Sequence, residues 1–213
     1  MSSNQHISYE TWRKALVEKQ TENVVRVLES SVVAICGLGG LGSNVALMLA
    51  RAGIKKLILI DFDKVSVTNL HRQQYKASQI GQFKTEALKE NLSETIPWIT
   101  CEIHTEKITE ENVISFIQEA NVICEAFDNA ESKAMLVNKV LETFPEKFLV
   151  AASGMAGFET LNSIQTKKIT DHFYIAGDFT SGIENTEGLL IPRVIACAAH
   201  ETMTIIQKLC KKI

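Results

Sequence analysis

Proline is scarce in this chain, three residues in 213, and no two of its five cysteines form a CxxC or CxxxC spacing. The first absence leaves no room for proline-rich linkers, and the second argues against a tetrahedral zinc site. The cysteines (Cys36, Cys101, Cys124, Cys197, Cys210) are odd in number and widely scattered. Three of them sit in apolar runs, as small buried hydrophobes do, so structural thiols are expected rather than redox or catalytic ones. No stretch is continuously apolar over the ~18 residues that a membrane span requires; the uncharged residues 30–50 are interrupted by Gly, Ser and Asn. The opening MSSNQHISYETWRKALVEK has no secretory apolar region. An excess of positive charge is also lacking: 22 basic against 25 acidic residues give −3, and a pI near 6.0 supplies no global reason to bind nucleic acid. What is there, 46% hydrophobic and 22% charged residues, matches a globular chain that can bury a real core. A cytoplasmic enzyme is the expectation.

No repeats or low-complexity tracts divide the chain, which reads as one domain over residues 1–213. Within it lie an N-terminal helical segment (1–30), a nucleotide-binding core (31–153) and a closing portion of strands and a helix (154–213). Residues 9–28 carry Trp12, Leu16, Val24 and Leu28 among charges, a helical pattern. Short branched apolar runs at 31–36, 56–60, 121–127 and 147–152 read as buried parallel strands. Between them, 44–52, 84–94 and 130–144 read as helices, and 100–104 as a further strand. Thr109 with Asn112 resembles a helix start with a capping box. Strands alternating with helices predict an α/β fold: a doubly wound, mostly parallel Rossmann-like sheet. Residues 159–166 and 173–176 are expected as a small antiparallel extension near the C-terminus, and 191–212 as a closing helix.

The chemistry concentrates at strand ends. Gly37-Leu-Gly39-Gly40-Leu-Gly42 holds a GxGxxG spacing between a strand and a helix, where exposed N–H groups and the helix dipole attract phosphate. Asp61, 19 residues after Gly42, closes the second strand and can accept from ribose hydroxyls. To this point NAD and ATP are served equally. The segment 61–73, DFDKVSVTNLHRQ, followed by GQFK at 81–84, adds Asp63, Asn69, Arg72, Gln73 and Lys84. A pyrophosphate already held by a helix terminus needs few cations. A triphosphate about to lose pyrophosphate needs more, because charge grows on the leaving oxygens. Asp128 follows the strand at 122–127, where ligands of open sheets converge, and suits magnesium or an N-cap.

These blocks resemble the ThiF/MoeB family of adenylating enzymes, relatives of the ubiquitin-activating domain, through GLGGLGS at 37–43, DFDKVSVTNLHRQ at 61–73, GQFK at 81–84 and FDN at 127–129. The likeness runs from about residue 31 to 209, and AASGMAG at 151–157 with GLLIPRVIACAAHE at 188–201 looks most like short ThiF-type proteins. The resemblance implies Gly37, Gly39, Gly40 and Gly42 around phosphates, with Asp61 on the ribose. It places Asn69, Arg72, Gln73 and Lys84 toward the triphosphate, and Asp128 on Mg2+. It further implies ATP as cosubstrate, a small sulfur carrier ending in Gly-Gly (ThiS-like) as partner, thiamine thiazole synthesis as the setting, and a homodimer.

Departures from that pattern are equally legible. Two CxxC pairs of longer members are missing, so zinc is not expected, and no cysteine lies between Ser153 and Pro192 to carry sulfur covalently. Lys133 stands where the family commonly has arginine, and Arg13 is the candidate for the family's N-terminal arginine. Met155 and Phe158 are candidates to line a channel for the carrier's tail. His200 is expected to be satisfied by packing or hydrogen bonding. A molybdopterin-type carrier, a tRNA-modifying dehydratase of the same superfamily, an NAD-dependent oxidoreductase and a non-catalytic binding module remain alternatives.

Overall fold

The apolar runs become the central layer of a three-layer sandwich. The computed structural model describes residues 7–182 and 188–211. Its sheet has seven strands: β1 (Val32–Cys36), β2 (Lys56–Ile60), β3 (Thr100–His104), β4 (Val122–Glu125), β5 (Phe148–Ala152), β6 (Gln165–Lys168) and β7 (Phe173–Gly177), in the order β3-β2-β1-β4-β5-β7-β6. All neighbouring pairs are parallel except β6 with β7. The expected antiparallel extension is therefore narrower than the sequence pattern implied. Residues 161–163 form a 3-10 turn instead of a strand, and β7 joins the parallel sheet through β5.

Alternation of side chains along each strand feeds two cores. Val33, Ile35, Leu57 and Leu59 face one side, with Leu49 of α3 (Gly40–Ala52), Leu88 of α4 (Lys84–Thr95) and Ile205 of α7 (Ile191–Leu209). Ala34, Cys36, Ile58 and Ile60 face the other, with Ile117 of α5 (Val113–Ile117) and Leu136 of α6 (Ala130–Thr143). The N-terminal helical segment is two helices, α1 (Tyr9–Gln20) and α2 (Glu22–Glu29), interrupted at Thr21, whose φ of 93° no helix accepts. The glycine loop also enters its helix earlier than expected, at Gly40 rather than Asn44. The Thr109 signal delivers only half a capping box: Asn112 Oδ1 accepts from the Thr109 N–H at 2.8 Å, and the short α5 starts at Val113. The closing helix ends at Leu209, while residue 212 of its expected span lies outside the described residues.

Strand order reverses between β1 and β4, the topological switch point at which open α/β sheets bind ligands beyond their carboxyl ends. Beneath that point α7 carries a carboxyl group into the core. Glu201 is fully buried; its Oε1 lies 3.7 Å from the Cys124 Sγ, and its Oε2 has no hydrogen-bond partner among the described residues. Burial, and then the neighbouring Glu125 charge, push the Glu201 carboxyl well above the usual range, which favours the neutral acid. Linkage gives the sign. Above the unfolded value of about 4.3 only the unfolded chain releases this proton, and stability falls with rising pH by at most about 1.4 kcal/mol per unit for this group. Glu201→Gln, a neutral isostere, is expected to flatten that slope, with stability gained at pH 8 and little change near pH 4. Urea unfolding across that pH range measures it; a parallel curve for variant and wild type would refute the protonation state.

Candidate functional site

The carboxyl ends of β1, β2, β4 and β5 open into one cavity of about 860 Å3. It contains Gly37, Gly39, Gly40, Asp61, Asp63, Asn69, Arg72, Gln73, Lys84 and Asp128 together. How residues so far apart meet follows from a single excursion of chain. After β2, residues 64–83 leave the sheet and return, closed by an antiparallel bridge between Lys64 and Phe83 and by the Lys84 N–H donating to Asp63 O at 2.9 Å. Lys84 thereby opens α4 beside Asp63, its ammonium 2.7 Å from Asp63 Oδ2 and 3.8 Å from Asp61 Oδ2. The middle of the excursion is tied to α3. Asn44 Nδ2 donates to Gly40 O (2.6 Å) and to Arg72 O (3.0 Å), and the Gln74 N–H donates to Ser43 Oγ. Tyr75 completes the clamp by donating to Leu38 O at 2.7 Å. Ser43, Asn44, Gln74 and Tyr75 were not singled out from sequence; the signal available was polar residues (Ser43, Asn44) inside an otherwise apolar helix.

Asp61 sits at the centre. One oxygen accepts from the Leu38 N–H at 2.7 Å and the other from the Asp63 N–H at 2.8 Å, and the residue is 8% exposed. Burial raises its pKa, opposed by the Lys84 charge and by those two amide bonds. It therefore fixes the glycine loop while keeping lone pairs toward the cavity. Gln73 is buried and its Oε1 has no donor among the described residues, an acceptor left for a ligand. Arg72 is half-buried, which lowers its pKa, while Asp128 nearby favours its charged form. The N-cap of α6 is Asn129, whose side chain accepts from the Ser132 N–H at 2.8 Å. Asp128 thus remains exposed, with no hydrogen bond of its own among the described residues. No cluster of three metal-ligating side chains occurs among the described residues. A lone exposed carboxylate beside the glycine loop is of the kind that suits Mg2+, which takes one or two carboxylates and completes its shell with phosphate oxygens and water.

Three candidates stand apart from this cavity. Gly42 is not on its wall: a Cβ there would lie 1.9 Å from Gly37 O, so this glycine lets α3 seat against the loop. Arg13 is engaged by Glu22 and Glu29 instead of reaching the site of its own chain. Phe158 is exposed and off the wall, whereas Met155 is on it. Lys133 does line the cavity but is committed to the buried Glu125 at 3.0 and 2.9 Å and to Ala152 O at 3.2 Å. His200 is satisfied by Thr166 Oγ1 at 2.9 Å. The thiols of Cys36, Cys124 and Cys197 are buried and pushed far up by burial, that of Cys101 to about 11, which suppresses the nucleophilic thiolate.

The sequence profile of the ThiF family matches residues 12–175. The chain belongs to the ThiF family. Among curated relatives, the adenylyltransferase and sulfurtransferase MOCS3 of Caenorhabditis briggsae is 33% identical over 129 residues, 60% of this chain and 32% of that protein. Ubiquitin-like modifier-activating enzyme 5 of the same species is 42% identical over 97 residues, 44% of this chain and 22% of that one. The tRNA threonylcarbamoyladenosine dehydratase of Haemophilus influenzae is 37% identical over 112 residues, 52% and 43% of the two chains. The chain spans less than half the length of each of these ThiF relatives. Among solved structures, E. coli tRNA N6-threonylcarbamoyladenosine dehydratase (TcdA) in complex with ATP superposes with a TM-score of 0.85 at 21% identity over 97% of both chains, a shared fold. No helix among the described residues is long and apolar enough to cross a membrane.

Two glycines of the motif, Gly39 and Gly42, differ in how tightly they are packed. Gly42→Ala is expected to cost about 3 kcal/mol of stability through overpacking. Gly39→Ala, whose Cβ would meet nothing nearer than 3.9 Å, should cost less, about 1 kcal/mol, set by its N-cap backbone (φ −79°, ψ −145°) rather than by packing. Denaturant titration of both variants measures the contrast, and equal losses would remove it.

Proposed function

We propose that this ThiF-family chain uses ATP to adenylylate the C-terminal Gly-Gly carboxylate of a small sulfur carrier of the ThiS type, forming an acyl-adenylate and releasing pyrophosphate. The observation that carries the reading is the convergence of Arg72, Lys84, Asn69, Gln73 and Asp128 on the cavity that also holds the glycine loop and Asp61. The glycine loop receives phosphate on N–H groups at the start of α3, and Asp61 orients the ribose. The carrier's carboxylate oxygen forms a bond to the α-phosphorus while the bond from that phosphorus to the pyrophosphate oxygen breaks. A terminal carboxylate is ionised at neutral pH (pKa about 3.5), so no general base is required. The work left to the protein is alignment and neutralisation of growing charge. Arg72 offers a planar fork for two oxygens and Lys84 a point charge, which must leave Asp63 to reach phosphate. Asp128 would hold Mg2+, which would supply further charge neutralisation on the leaving group.

The names of the relatives, an adenylyltransferase and a ubiquitin-like modifier-activating enzyme, support this class, as does ATP in the TcdA structure. The thiamine pathway and cytoplasmic setting follow from the resemblance and composition, and a molybdopterin-type carrier fits the same site. A tRNA-modifying dehydratase is the second reading, favoured by the near-complete overlap with TcdA; the net charge of −3 weighs against it. NAD chemistry has no use for Arg72, Lys84 and Asp128 together.

Pyrophosphate release from ATP and Mg2+ with purified Gly-Gly carriers, and separately with tRNA, decides among these, and release with none of them refutes the reading. Arg72→Ala is expected to lower turnover by ~10²-fold with little change in ATP affinity; an equal loss in both would make Arg72 a binding residue only. The proposed homodimer is supported by an exposed apolar stripe on α7, formed by Ile191, Ile195 and Met203. Ile195→Glu with Met203→Glu should shift the species seen by light scattering from dimer to monomer, and an unshifted mass would exclude this face.

A further inference from the structure

One buried cation serves a different part of the cavity from the nucleotide. Arg193 is 2% exposed in the first turn of α7, where a positive charge opposes the helix dipole. Its guanidinium is consumed by two loops. Nη1 donates to Glu159 O (2.6 Å), Thr160 O (3.0 Å) and Ser163 Oγ (3.2 Å), Nε donates to Met155 O (3.3 Å), and Nη2 pairs with Asp178. Asp178 accepts in addition from the Thr180 and Ser181 N–H groups and from Ser181 Oγ. Ser181 Oγ in turn accepts from the Ala156 N–H at 3.0 Å. The packing at this node is close enough that a Cβ on Gly154 would lie 2.1 Å from Asp178 Oδ1.

These two loops, after β5 and after β7, form the wall of the cavity farthest along the sheet from Asp61, through Gly154, Met155, Ala156 and Ser181. Ribose and phosphate groups belong at the β2 and β1 ends, so the far wall is left for the second substrate. We propose that Arg193, acting through Asp178 and Ser181, is a positioning residue that holds this wall in register for the carboxylate-bearing tail of the acyl substrate. The inference rests on the adenylylation reading. Arg193 is itself off the cavity wall, so its influence passes through the two loops it joins. A lysine keeps the charge but cannot serve five acceptor groups spread over both loops.

The test compares Arg193→Lys and Ser181→Ala with wild type in carrier-dependent pyrophosphate release, alongside calorimetric ATP binding without carrier. Both variants should raise the carrier's KM on the order of 10-fold, since misplacement of about 1 Å is costly, while ATP affinity stays unchanged. A merely structural role would lower the melting temperature and the active fraction without moving KM. Should Arg193→Lys fail to fold, Ser181→Ala decides alone. An unchanged carrier KM, or an equal loss of ATP affinity, overturns the inference. Absence of release by the wild-type protein with every carrier overturns the adenylylation reading itself, and is distinguishable because it appears before any substitution.

Discussion

The bond from the Leu38 N–H to the Asp61 carboxylate is the constraint on which the site depends. It joins the end of β2 to the glycine loop after β1, and the second Asp61 oxygen holds the Asp63 amide, from which the long excursion to Lys84 departs. A carboxylate so buried is expensive unless it is hydrogen-bonded and faces a cation. The two amides and the Lys84 ammonium supply both conditions. One charged side chain thereby sets the spacing between the glycine loop and the Lys84 ammonium.

Charge is managed differently on the other side of the switch point. Glu125 at the end of β4 is 1% exposed and is neutralised by Lys133, which also reaches the last carbonyl of β5. Behind it, Glu201 has no cation in contact among the described residues, and burial together with the Glu125 charge pushes its carboxyl well up, which favours the neutral acid. Lys133 spans adjacent strands, and so spends its donors within the protein. The cations left to face a ligand come from the excursion after β2, whose backbone is clamped by Asn44 and Tyr75.

The parallel architecture was legible because buried parallel strands are short, branched and apolar on both faces, as 31–36 and 56–60 are. The site was legible where chemistry needs particular residue types at fixed offsets: Gly37 to Gly40, Asp61, and the block from Asn69 to Gln73. Gly42 looked like its neighbours because spacing does not report which side of a loop a glycine faces; its role is contact between α3 and Gly37 O. Asp128 fitted magnesium or the N-cap equally from sequence, and only the backbone geometry gives the cap to Asn129. Arg13 carried the right charge in a plausible place, yet two nearby glutamates hold it away from the cavity of its own chain.

By itself the sequence determined the alternation of strands and helices, the glycine loop and the set of polar and charged side chains that gather at the strand ends, because these follow from local periodicity and residue chemistry. Only the tertiary structure decided that β7 runs parallel beside β5, that Lys84 returns to Asp63 across a looped excursion, and that Arg193 binds two distant loops into one wall. Those outcomes depend on contacts between residues far apart in the chain, where burial forces each polar group to find whichever partner the packed layers bring within reach.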